Sequence, residues 1–250
     1  MEALKADYTE VWAAAPNLPL IRFANRVRAI SETGLSLLEI PDQDCGRTVE
    51  SLRSFDAIVS WYGANRPEFA DATRRLGLPI RLFPALPQGP EHAVDFYLGQ
   101  ARTLAANAPA ARPRIPCSVA ARRRLAVIHP YSSSKSKNWP LERFDALAQR
   151  IERQMPVEWT AGPDEPLDRA RRFEDLYELG CWLASAALFI GNDSGIAHLA
   201  AAVGTPVVVL FGPTDPAVGA PRGECVVVLR RNPLTELRVQ EVWDAVSRLC

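Results

Sequence analysis

Two short stretches hold most of the side chains able to grip an anion. One is the run SSSKSKNWP at 132–140, in which Ser132 and Ser133 are followed by Lys135 and Lys137. Hydroxyl, backbone N–H and ammonium groups are the donors a phosphate oxygen accepts. The run can therefore clamp a diphosphate, with Ser132 and Ser133 as neutral donors and Lys137, or Lys135, as the charge partner. A solvated polar loop ending in a serine cap would use the same residues. The other stretch is Asp193-Ser194-Gly195-Ile196-Ala197-His198. Asp193 or Ser194 can cap a helix whose free N–H groups and positive dipole end attract an anion, while Gly195 leaves the backbone open to close approach. Asp193 is also able to accept sugar hydroxyls. His198, in the first turns of that helix, either faces a ligand or packs as a hydrogen-bonded core residue. Thr214 offers a hydroxyl from the turn Pro213-Thr214-Asp215-Pro216, and Glu165 in Pro163-Asp164-Glu165-Pro166 is a carboxylate suited to ribose hydroxyls. A plain turn and a surface carboxylate are the competing readings.

These residues share one property: each follows an apolar run. LAVIHP (125–130), VEWTAG (157–162), ALFIGND (187–193), VVVLFG (207–212) and CVVVLR (225–230) are apolar and β-branched or aromatic enough for buried parallel strands. Helical segments at 140–154, 175–186 and 195–203 separate them. The pattern predicts a doubly wound α/β sheet, in which ligands bind beyond the carboxyl ends of the strands. The first half reads as α/β too, with strands over 11–15, 35–40 and 55–63 and a helix over 20–30. Prolines at 84, 87, 90, 109, 113 and 116, flanking a helical segment near 92–108, mark a connection between domains. The expected boundary divides residues 1–112 from 113–250.

Composition narrows the function classes. Twenty-nine basic residues balance twenty-nine acidic ones in 250, so no global field recruits nucleic acid, and any anion site has to be local. Of the basic residues only three are lysine, and two of these are Lys135 and Lys137. Paired lysines in an arginine-rich chain hint that a compact ammonium is wanted there. The five cysteines are scattered with no CxxC pair, which points away from a zinc knuckle or a disulfide framework and toward a reducing cytosol. His92, His129 and His198 lie far apart, and HExxH, GxSxG, Walker A and GxGxxG patterns do not occur. No metal site and no cofactor is expected. The start MEALKADYTE does not read as a secretion signal, and no apolar run reaches the length of a membrane span.

HPYSSSKSKNWPLERF (129–144), GPDE (162–165) and above all LFIGNDSGIAHLAAAVGTPVVVLFGPTDP (188–216) resemble glycosyltransferase family 9, the bacterial heptosyltransferases of lipopolysaccharide core assembly and their relatives. The resemblance covers the second half well and the first half in outline. It implies a GT-B architecture, two Rossmann-like domains facing a cleft. The C-terminal domain would hold a nucleotide-diphosphate sugar, an ADP-heptose-like donor included. A glycan or glycolipid acceptor would sit on the N-terminal domain. By the same resemblance Ser132, Ser133 and Lys137 serve the diphosphate, Glu165 the ribose, and Asp193 the donor sugar. Ser194, Gly195, His198 and Thr214 complete the donor site. A helix over 236–249, apolar on one face, would close the second domain. The reaction implied is an inverting, metal-independent transfer at the cytoplasmic side of the inner membrane, peripheral to it.

The family pattern opens with a strand and a glycine-rich turn ending in Gly-Asp, whose aspartate is its general base. MEALKADYTE resembles the helix that follows that turn, so the first domain is expected to be truncated and to lack this base. Glu68 and Asp71, after FDAIVSWYG, are the substitute carboxylates nominated from the sequence. An exposed sheet edge, inviting pairing with a second copy, is the further expectation. A non-catalytic nucleotide-sugar-binding protein of GT-B shape is the alternative of another class, and a nucleotide-sugar epimerase a second enzymatic one.

Overall fold

Strand pairing is parallel throughout the described residues. The structure, a computed structural model, describes residues 6–40, 43–104, 112–118 and 121–249. The chain divides into two units, Met1–Pro109 and Ala110–Cys250.

In the first unit β1 (Glu10–Ala13) pairs with β2 (Arg26–Ala29), in register from Glu10 opposite Arg26 to Ala13 opposite Ala29. After α1 (Gly46–Arg53), β3 (Ile58–Ser60) leads into α2 (Pro67–Arg75) and pairs with β4 (Ile80–Leu82). α3 (Ala93–Arg102) follows. Leu35, Leu38, Val49, Leu52, Phe69, Ala72 and Leu78 form the core.

Several sequence expectations need correction here. Residues 35–40 are not a strand: Leu35–Glu39 forms a 3-10 turn. Gly34 at φ 70° swings the chain into it, a conformation that costs glycine little, and Leu35 and Leu38, three apart, then share the buried side. The helix expected over 20–30 is replaced in its second half by β2. Pairing with β1 overrides the local pattern, and Asn25 anchors the join by accepting a hydrogen bond from the Thr9 N–H at 2.8 Å. The strand expected over 11–15 begins at Glu10 and ends at Ala13, before a 3-10 turn over Ala15–Leu20 that contains two prolines. β4 was not foreseen, because only three residues stand between Pro79 and Phe83-Pro84. Of the helix near 92–108, residues 105–108 lie outside the described residues, as does the MEALK start.

The second unit follows its sequence pattern. β5 (Arg123–His129), α4 (Leu141–Ile151), β6 (Val157–Trp159), α5 (Leu176–Ala184), β7 (Ala186–Asn192), α6 (Gly195–Ala202), β8 (Val207–Phe211), α7 (Pro216–Gly219), β9 (Val226–Arg230) and α8 (Val239–Val246) run in that order. The sheet order is β6-β5-β7-β8-β9. All five residues of β8 are fully buried, as expected of a strand covered on both faces. Side chains of Ile128, Ile190, Val208 and Leu210 meet α4 and α8 through Phe144, Leu147, Val242 and Val246. Trp139, 1% exposed, locks this core: its ring packs edge-on against Phe144, and its indole N–H donates to the Leu237 carbonyl at 2.9 Å.

Candidate functional site

The order of strands reverses between β5 and β7, because β6 was added on one side of β5 and β7 to β9 on the other. Loops leaving a parallel sheet at such a reversal diverge and open a crevice at the carboxyl ends. The loop after β5 carries Ser132 to Lys137, and the loop after β7 carries Asp193 to Gly195. Both anion-gripping stretches thus meet at the reversal point.

Asp193 is the hub. Its Oδ2 accepts from Lys137 Nζ at 2.9 Å and from the Thr214 hydroxyl at 2.8 Å, so loops after three different strands converge on one carboxylate. The Lys137 and Asp193 side chains are 24% and 12% exposed, dry enough to strengthen the pair yet open to a ligand. The two lysines are separated by this geometry: Lys135 is exposed, whereas Lys137, two residues along a 3-10 turn, reaches inward. An ammonium carries three donors, so one bond to Asp193 leaves others for an incoming oxygen.

Ser194 caps α6, its hydroxyl accepting from Ala197 N–H. Nothing lies within 4 Å of where a Cβ on Gly195 would stand, so the first turn of α6 has room beside it. His198 is exposed on the same helix. The Ser132 hydroxyl lies 2.8 Å from Asn138 Oδ1 and 3.0 Å from the Ser134 carbonyl, and Ser133 is exposed.

On the other side of β5, Glu165 Oε2 accepts from the Gly162 N–H at 2.6 Å and stands 4.0 Å from His129 Nδ1. His129 Nδ1 is 3.0 Å from the Thr160 carbonyl, which can only accept, so this nitrogen carries the proton. Burial holds the imidazole below its ordinary pKa, opposed by the Glu165 carboxylate and the Thr160 bond. His129 therefore acts as a neutral strut under the Glu165 loop.

Three residues that build the site escaped the sequence reading. Asn192, with no exposed surface, accepts from the Trp139 N–H at 3.0 Å and donates to the Pro130 carbonyl at 2.6 Å, pinning both ends of the Ser/Lys loop to β7. Arg172 donates to the carbonyls of Gly162, Glu165 and Leu167 and closes the Glu165 loop. Tyr131 ties the two loops together by donating to the Pro166 carbonyl at 3.0 Å. Of these, only Asn192 left a sequence signal, a polar residue ending an apolar strand.

Glu68 and Asp71 lie in the first unit, in the first turns of α2 after β3. Both are exposed, and Asp71 pairs with Arg74 at 2.7 Å. Among the described residues no group of three or more His, Cys, Asp or Glu side chains is arranged to hold a metal ion, and no helix is long and apolar enough to cross a membrane.

The family model for glycosyltransferase family 9 (heptosyltransferase) matches residues 86–244. Lipopolysaccharide heptosyltransferase 3 of Escherichia coli is 35% identical over 106 residues, 36% of this chain and 31% of its own length. Lipooligosaccharide heptosyltransferase 2 of Haemophilus influenzae is 27% identical over 113 residues, 38% and 33% of the two chains. The matches thus span about a third of the length of these curated relatives. Among solved structures, a family 9 glycosyl transferase from Veillonella parvula superposes with a TM-score of 0.75 at 16% identity, over 97% of this chain and 88% of that one. E. coli ADP-heptose lipopolysaccharide heptosyltransferase II gives 0.69 at 19% identity, over 96% and 88%. The fold is the GT-B fold of these two structures.

Proposed function

The chain belongs to glycosyltransferase family 9, and on that premise we propose that it handles a nucleotide-diphosphate sugar in its second unit and transfers the sugar, with inversion and without metal, to a hydroxyl of a cell-envelope glycan or glycolipid. The observation that carries this reading is the convergence of Lys137, Thr214 and the α6 N-terminus on Asp193 at the strand-order reversal. A diphosphate placed there meets an ammonium, the Ser132 and Ser133 hydroxyls and the N–H groups of Ser194 and Gly195. Glu165 is assigned to the ribose, Asp193 to hydroxyls of the donor sugar, and His198 to support of the site. Two structures of a related E. coli heptosyltransferase, WaaC, hold ADP and ADP-2-deoxy-2-fluoro heptose, so an ADP-sugar is the first donor to test.

In the transfer, an acceptor oxygen attacks the anomeric carbon from the side opposite the diphosphate. The new C–O bond forms as the bond to phosphate breaks. Negative charge gathers on the leaving diphosphate, where Lys137 and the end of α6 stand ready in a fixed orientation, the arrangement that lowers a barrier most effectively. The acceptor proton goes to a base, for which Glu68 and Asp71 of the first unit are the proposed carboxylates. With an acceptor of that class the work would be cytoplasmic and peripheral to the inner membrane.

One observation favours the non-catalytic alternative. Asp71 is 67% exposed and salt-linked to Arg74, as solvated surface carboxylates are. In that reading the chain binds the donor and does not transfer it. A product assay with ADP-heptose and a lipopolysaccharide-core acceptor separates the two. Transfer that persists without divalent metal and falls about 100-fold or more in Glu68→Gln or Asp71→Asn supports catalysis with this base. Donor binding without transfer supports the alternative, and full activity in both variants removes Glu68 and Asp71 from the mechanism.

A further inference from the structure

Where the second unit begins, the chain is tied down across two of its helices. The Ile115 N–H donates to the Ala202 carbonyl at the end of α6 at 2.9 Å, and the next carbonyl, that of Pro116, accepts from the Tyr177 hydroxyl of α5 at 3.1 Å. Cys181 stands four residues after Tyr177, on the same face of α5. Cys117, the residue after Pro116, is thereby set beside it, and the two thiols share a hydrogen bond. The platform beneath them is tight: a Cβ on Gly180 would meet Leu199 and Val203 at 3.3 Å, so α5 cannot drift from α6 without opening that contact. Both cysteines are free and only half-buried, which gives a small solute access to the pair. Their distance in sequence hides this juxtaposition, and it is independent of the donor site proposed above.

We infer that Cys117 and Cys181 are a reversible oxidation site, at which hydrogen peroxide joins the two sulfurs in a disulfide that straps the start of the second unit to α5. Burial, with Cys181 beside it, pushes the Cys117 thiol up to about 12, so Cys117 stays protonated at neutral pH and is the poorer nucleophile. Cys181 therefore reacts first. Its sulfur attacks one peroxide oxygen, the O–O bond breaks, and the departing hydroxide leaves as water with the thiol proton, giving a sulfenic acid. The Cys117 sulfur then attacks the Cys181 sulfur. The S–O bond breaks as the S–S bond forms, and hydroxide again leaves as water with the Cys117 proton. Two electrons pass from the pair of sulfurs to one peroxide, and a thiol reductant returns them by exchange. The bond closes a covalent loop that contains β5, α4 and β6, and with them Lys137 and Glu165; cross-linking so long a loop stabilises the fold that holds it. A structural zinc ion is the other use of paired thiols, but it takes four ligands, and among the described residues no three His, Cys, Asp or Glu side chains gather to hold a metal.

The test treats the reduced full chain with a small excess of hydrogen peroxide and maps its peptides without reductant. The expected result is a linked pair of peptides joining Cys117 to Cys181 and a loss of two free thiols, both reversed by dithiothreitol. In the bridged form, amide hydrogen exchange at Ile115 and Cys117 should slow at least tenfold, and Tm should rise by several degrees. With dimedone present, Cys117→Ser should accumulate a trapped sulfenic acid on Cys181, whereas Cys181→Ser should leave Cys117 unlabelled at the same dose. A bridge to Cys45, Cys225 or Cys250, a bridge between two chains, sulfinic or sulfonic acid on Cys181 without a bridge, or no loss of thiols would overturn the inference. A bridge that leaves exchange and Tm unchanged would overturn the strap, and labelling of Cys117 in Cys181→Ser would overturn the order of the steps.

Discussion

The two units use the same ingredients to different ends. Across the strand-order reversal of the second unit β5 and β7 pair directly, and β8 beyond them has no exposed surface. In the first unit β1 and β3 belong to separate two-stranded sheets with a hollow between them, and no residue of either is buried. Hydrophobic stabilisation follows the apolar area removed from water, and local opening follows its absence. The contrast teaches that the second unit is a rigid platform able to hold three loops in register around Asp193. The first unit keeps its core under α1 and α2 and leaves its sheet incomplete.

The largest effect expected from this contrast is on stability. Leu210→Ala, in the middle of β8, should cost about 2–5 kcal/mol, whereas Val59→Ala in β3 should cost well under about 2 kcal/mol because its side chain is only half removed from water. Denaturant titration of the two variants measures both. Equal costs would erase the distinction between the sheets.

A smaller effect concerns the ligand site on the rigid side. Lys137→Ala should weaken nucleoside diphosphate binding by about 1.5–3 kcal/mol, the worth of a charge-assisted hydrogen bond, with folding almost untouched. Lys135→Ala should do less, since only Lys137 reaches Asp193. Calorimetric titration that found Lys135 the more important would show that the loop holds its ligand differently from the way it holds Asp193. Asn192→Ala should cost about 1–3 kcal/mol of stability by orphaning the buried Trp139 N–H, and should loosen the Ser/Lys loop as well. Unchanged ligand affinity in that variant would mean that the loop is positioned by something else.

The smallest effect is on pH dependence, and it too belongs to the second unit. Burial lowers the folded-state pKa of His129 below its ordinary value of 6.5, so the unfolded chain binds the extra proton first as pH falls. Its contribution is full above about pH 6.5 and is lost as pH drops from there through the folded value. Stability should decline on acidification through that window, and His129→Asn, which keeps a donor for the Thr160 carbonyl, should flatten the decline. An unaltered slope would remove His129 as its source.

Legibility in the sequence followed the same divide. The inner strands β5, β7 and β8 are covered on both faces and apolar almost throughout, and the edge strands β6 and β9 are apolar runs as well, so all five strands of the second unit could be read from LAVIHP to CVVVLR. The positions of Lys137, Asp193 and Glu165 after them followed from the sheet. In the first unit three- and four-residue strands carry too little pattern, and β2, with Arg26 and Arg28 on it, reads like the surface of a helix. LSLLE has the composition of a strand but is bent by Gly34 into a turn. Arg172 and Tyr131 could not be found from sequence, because they act through backbone carbonyls, which every residue carries.

The central claim is that the reversal point of the second sheet binds a nucleoside diphosphate. Thermal unfolding of the full chain with ADP, GDP and UDP tests it most directly, since a ligand that binds only the folded state at 100 times its dissociation constant adds about 2.7 kcal/mol. The account predicts a rise in Tm with at least one of the three at millimolar concentration, greatly reduced in Lys137→Ala. No shift with any of them, or a shift indifferent to Lys137, would contradict it.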